Sequence, residues 1–185
     1  MARTDLQIKE YVEGNENYHN TRLLLKLYRY TAYQTVRKGH SFERFMRSEY
    51  GFDSLSLLDA IKNVGIELKD NIEALNILED IKYYEDILSY VEGCINHIKE
   101  YHPKGEKYFS VLYHTYLVPS ALRTNSQIRS NVSNDLGKKK IICERTYLRY
   151  LNEAISILDK ELWHTDPLTC KELKEFLCKQ SVEIS

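Results

Sequence analysis

The chain has 185 residues, 43% of them hydrophobic and 29% charged, with a formal net charge of −1. That length suits one domain or two small ones with an adequate core, and the balance excludes a disordered or membrane-embedded chain. Only 7 Gly and 3 Pro are present, and Leu, Ile, Lys, Glu and Tyr dominate, so an all-α fold is expected. Apolar runs reach three residues, as at Leu23–Leu25, too short to span a bilayer. The N-terminal MARTDLQIKEYVEG has no apolar signal core, which makes the cytoplasm the default location.

Residues 1–20 are polar and read as weakly ordered. A first helix is predicted from Thr21 to Arg37, with Leu24, Leu27, Tyr28 and Thr31 at helical spacing and Gly39 beyond its end. Ser41 can cap a second, short helix over FERFMRSEY, and Asp53 or Ser54 a third over LSLLDAIKN, which Gly65 ends. From Asp70 to about Tyr101, Ile72, Leu75, Leu78, Ile81, Tyr84, Leu88, Val91, Ile95 and Ile98 recur every three or four residues. This long stripe suits a hairpin within one chain or a seam with a second copy, so a homodimer is among the arrangements it allows. His102-Pro103-Lys104-Gly105 is the clearest break. It divides a helical interaction or dimerisation domain, 1–102, from a domain at 103–185.

Past the break, Glu106 to Val118 presents Phe109, Leu112, Tyr113 and Tyr116 on one side. Thr124-Asn125-Ser126-Gln127 reads as a capping box for a second helix with Ile128, Val132 and Leu136 inward and Gly137 as its stop. A third helix begins near Cys143 or Glu144 and runs to Trp163, and Asp166-Pro167 opens a last one with Leu173, Phe176 and Leu177 inward. On the third helix Tyr147, Leu148, Ala154, Ile155, Leu158 and Leu162 fall within about 60° of Leu151. Arg145, Thr146, Arg149 and Asn152 fall outside that arc.

Charge is segregated along the chain. From Lys104 to Arg149 nine Lys or Arg face three acids, a net of +6, whereas Ile66 to Glu100 holds nine acids and three lysines. Lys138, Lys139 and Lys140 stand directly before the third helix. A capped second helix and a basic third are the layout of a helix-turn-helix, and such a surface suits duplex DNA. Lys138, Lys139, Lys140 and Arg129 are the candidates for phosphate, and Arg145, Thr146, Arg149 and Asn152 for base edges.

The run Cys143-Glu144-Arg145-Thr146-Tyr147-Leu148-Arg149-Tyr150, closed by Leu162-Trp163, resembles the third-helix signature of phage and prophage transcriptional regulators of the ArpU type. Gly105-Glu106-Lys107-Tyr108-Phe109 through Leu112-Tyr113 and Tyr116 resembles that family's first helix. The resemblance implies a DNA-binding part similar to region four of sigma factors and a role in regulating transcription. RNA polymerase thereby joins DNA as a partner to consider. Cys143 departs from the family's usual capping Ser, and the turn of Gly137 to Ile141 is longer than the usual one.

Nothing points to catalysis or to a cofactor. The chain lacks a Gly-rich phosphate loop, His-Glu-x-x-His and Gly-x-Ser-x-Gly, and the scattered acids of the long helix lack the Glu-x-x-His pattern of a di-iron bundle. Cys94, Cys143, Cys170 and Cys178 lie far apart with no Cys-x-x-Cys pair and read as reduced thiols, and Cys94, His97, His102 and His114 match no closed metal motif. The rival to a DNA-binding regulator is a non-catalytic phage structural or adaptor protein whose acidic long helix binds a protein partner.

Overall fold

A computed structural model describes residues 16–50, 72–118, 124–164 and 167–183. The protein is all-α: six α-helices and no strand occur among the described residues. They are α1 (Glu16–Tyr50), α2 (Ile72–Tyr101), α3 (Gly105–Leu112), α4 (Asn125–Asp135), α5 (Glu144–Trp163) and α6 (Pro167–Glu183). The chain divides into two compact units, Met1–Arg29 with Tyr90–Ser185, and Tyr30–Ser89. The break at His102–Lys104 joins α2 to α3 within the first of these. The helix expected after Asp53 lies outside the described residues.

α1 corrects a local reading. Gly39 and Ser41 were expected to separate two helices, yet one helix of 35 residues runs through both. Ser41 Oγ does not cap; it donates back to Arg37 O at 3.0 Å, as a mid-helix serine can. A helical glycine costs about 1 kcal/mol. Burying Phe42 and Met46 returns about 1.5–3 kcal/mol each, which decides for continuity. These two pack with Ala74 and Ile81 of α2 as the core of the second unit, with Phe45, Leu75, Ile77 and Leu78 at its margin. Ile72 was expected in the stripe of α2 but is exposed at its end.

In the first unit, Leu24, Leu25, Leu27 and Tyr28 of α1 are buried, as are Val91, Ile95 and Ile98 of α2. The turn into α3 is tight. Gly105 N donates to His102 O at 2.7 Å, and a Cβ at Gly105 would stand 2.2 Å from Lys99 O. α3 buries Tyr108, Val111 and Leu112 and gives way at Tyr113–Leu117 to a π turn, closed by Val118 N donating to Tyr113 O. Tyr113, grouped by spacing with Phe109 on one side of the helix, stacks on it at 5.4 Å and is exposed. α3 packs on both α4 and α5. Leu173, Phe176 and Leu177 of α6 are buried, as the sequence implied.

Candidate nucleic-acid interface

The site is built around the α4–α5 turn. Thr124 accepts from Gln127 N at 3.3 Å while Gln127 Oε1 accepts from Thr124 N at 2.9 Å, the reciprocal capping box that starts α4. At its other end, Lys138 N donates to Ser133 O and Gly137 N to Asn134 O, with Gly137 at φ 62°. This is a Schellman closure, which needs the left-handed conformation that glycine adopts without strain. His114 Nε2 and Ser110 Oγ both meet Asp135 Oδ2, at 2.8 and 2.7 Å, tying the end of α4 to α3 and its π turn.

Buried Ser133 continues the anchoring. Its hydroxyl donates to Arg129 O at 2.6 Å and accepts from Ile142 N at 3.0 Å, so both ends of the basic turn are fastened to α4. Arg129 contributes a long contact of its own, from Nη1 to Ile142 O at 3.5 Å, and Nε reaches Asn125 O at 3.4 Å. The structure thus places Arg129 as a brace for the turn, half-buried. Lys138, Lys139 and Lys140 between these anchors are exposed, and no ion pair among the described residues involves them.

α5 opens at Cys143, whose sulfur makes no capping bond to the backbone and instead meets Thr146 Oγ1 at 3.2 Å. The Thr146 hydroxyl and amide beside it hold the thiol below its ordinary range. Arg145 is exposed. Arg149 is 48% exposed at its side chain, with Nε 4.0 Å from Glu153 Oε1 and its guanidinium over the Tyr150 ring at 5.6 Å. Asn152 is half-buried, and its Oδ1 accepts from Arg22 Nη2 at 2.6 Å. The structure therefore brings Arg22, on α1, beside α5, a cation that sequence reading missed. A polar pair 130 residues apart leaves no periodic mark that could have revealed it.

Beneath Arg149 lies a second feature without a sequence signal. Glu153 is buried and accepts from Lys107 Nζ at 2.9 Å and from Tyr108 Oη at 3.0 Å. Lys107 Nζ also stands 4.3 Å over the Tyr150 ring. Burial alone raises the Glu153 carboxyl, but the bond and charge of Lys107, the Tyr108 hydroxyl and Lys104 outweigh it and hold the group below its ordinary value. Burial and the Glu153 charge push the Tyr108 hydroxyl up. One carboxylate thus serves two cations, and the surface above it stays positive.

The opposite face of α5 is held firmly. Leu151, Ala154, Ile155, Leu158 and Leu162 are buried, as expected, along with Tyr147, whose hydroxyl meets Thr115 Oγ1 at 2.8 Å. Thr21 Oγ1 donates to buried Asp159 Oδ1 at 2.9 Å and accepts from Trp163 Nε1 at 2.7 Å. Leu148 departs from expectation: at the edge of the apolar arc, it is 45% exposed, and Ile141 in the turn is 55% exposed.

Among the described residues, no three His, Cys, Asp or Glu side chains are grouped to hold a metal ion, and no helix is long and apolar enough to cross a membrane. Burial raises the Cys94 thiol to about 11, and His102 Nδ1 accepts from Lys104 N at 3.0 Å. Set against protein-family models, curated proteins and solved structures, the chain matches none of them.

Proposed function

We propose that this protein is a sequence-specific duplex-DNA-binding regulator of transcription, of the phage or prophage type that its third helix resembles, and that α4, the basic turn and α5 form its helix-turn-helix. The observation that carries the reading is the exposed cation series Lys138, Lys139, Lys140, Arg145 and Arg149. It starts in a turn fastened at both ends and continues onto the outer face of a helix whose inner face is buried. Lysines on a tethered turn suit phosphates, which are contacted at fixed spacing along the duplex. Arg145 and Arg149, in the first two turns, suit guanine O6 and N7 in the major groove, with Thr146 between them. Arg129 acts through the turn it braces, and Asn152 through the Arg22 side chain it orients.

Retention on heparin followed by titration of random-sequence duplex tests this. Salt-dependent elution and binding that weakens steeply between low and moderate salt support it. Flow-through from heparin with no duplex binding refutes it and favours an adaptor whose acidic helix meets a protein.

A further inference from the structure

Charge does not account for Leu148. Apolar spacing puts it on the buried stripe, yet it stands 45% exposed in the second turn of α5. Its neighbours on the helix surface are Arg145 one turn earlier and Asn152 one turn later. At ~100° per residue it lies roughly 60° from Arg145, on the flank of the face that carries the cations. On the proposed reading Lys138, Lys139, Lys140 and Arg145 draw α5 towards a polyanion, and an exposed apolar side chain beside Arg145 can then meet an apolar group on the same ligand.

Duplex DNA offers one such group on a base edge in the major groove, the C5-methyl of thymine. Guanidinium and amide groups read hydrogen-bonding edges and are blind to a methyl, so Leu148 adds a discrimination that flanking Arg145 and Asn152 lack. We infer that Leu148 packs on a thymine methyl in the major groove, so that the preferred site carries a thymine beside the base met by Arg145. This rests on the reading of α5 as the DNA-facing helix, and it adds one chemically defined position to the recognition sequence.

The test uses the full chain and a duplex selected with it from a random pool. Each thymine is replaced singly by deoxyuridine, which removes the methyl and leaves the hydrogen-bonding edge intact. One position should weaken binding about fourfold, the weight of one buried methyl group, while the others change little. Leu148→Ala should bind the unmodified duplex more weakly and show no further loss at that position. Circular dichroism should be unchanged, since Leu148 is outside the core. A duplex bound equally well with deoxyuridine at every position overturns the inference, as does a methyl effect that persists in Leu148→Ala; either leaves DNA binding standing. A chain that binds no duplex at all refutes the DNA reading and this inference with it.

Discussion

Replacing Lys138, Lys139 and Lys140 together by alanine separates charge from structure at the basic turn. All three are exposed, and the hydrogen bonds that hold the turn come from backbone groups, Ser133 and Arg129. Their removal should therefore leave stability within about 0.5 kcal/mol, as for ordinary surface changes. Binding should respond strongly. Each phosphate contact contributes about −0.9 to the slope of log affinity against log salt, so three lysines on three phosphates contribute about −2.7. Over a fourfold rise in salt, the advantage of the wild type over the variant should shrink about fortyfold, or roughly 2 kcal/mol. Fluorescence anisotropy with a labelled duplex across a potassium chloride series measures this directly. Ser133→Ala is the complement: it keeps every lysine but loosens Ile142, so affinity should fall by up to about tenfold with the slope retained. Parallel salt lines for wild type and triple variant refute the assignment of the lysines to phosphate.

Arg149→Ala should cost about 1–3 kcal/mol on the selected duplex and much less on unrelated DNA, read by the same titration, with little change in melting because the side chain is half-exposed. Gly105→Ala should destabilise by more than about 3 kcal/mol, since the new Cβ meets backbone oxygens at 2.2 and 2.5 Å. Gly137→Ala meets open space and should cost only the left-handed backbone penalty of about 1–2 kcal/mol; chemical denaturation distinguishes the two. The depressed Glu153 carboxyl contributes stability that is complete above its ordinary value of 4.5 and is lost as pH falls through its folded value. Glu153→Gln should lower the melting temperature at neutral pH and flatten its decline on acidification, measured by calorimetry at a series of pH values.

The elements legible in the sequence are those whose signals are local. The Thr124–Gln127 box and the Gly137 stop lie within one helical turn of the groups they satisfy, so residue type and spacing sufficed. The stripe of Leu151, Ala154, Ile155, Leu158 and Leu162 was legible because burial repeats with the helix. Gly39 and Ser41 misled for the same reason in reverse: they are local signals, overruled by Phe42 and Met46, whose partners Ala74 and Ile81 lie some thirty residues away. Leu148 misled because angular position says which side of a helix a residue is on, not how far along it the neighbouring helices reach. The polar contacts Arg22–Asn152, Thr21–Asp159 and Lys107–Glu153 were invisible because pairs remote in sequence carry no period. At the candidate site, exposure of the lysines could be read from composition, whereas the bracing position of Arg129 depends on where Ile142 comes to rest.

The placement of the cations on α5 is itself an argument about function. A helix N-terminus carries a partial positive charge, so basic residues there disfavour the helix, by about 0.3–1 kcal/mol each at an exposed site. Here Arg145 lies in the first turn, three lysines occupy the turn that leads into the helix, and Glu144 is the acid of the first turn that opposes them. The cap that should offset this is also weak, because the Cys143 sulfur makes no close capping hydrogen bond and accepts more weakly than a hydroxyl oxygen. Folding is served elsewhere on the same helix, by the buried stripe and by Asp159, Thr21 and Trp163 towards its far end. A start that is electrostatically unfavourable for the isolated helix becomes favourable once an anion occupies it, since amides, dipole and cations then act together on one charge. On the proposed reading, the regularly spaced phosphates of a duplex would supply that anion, and the base edges between them would meet the exposed outer face of α5.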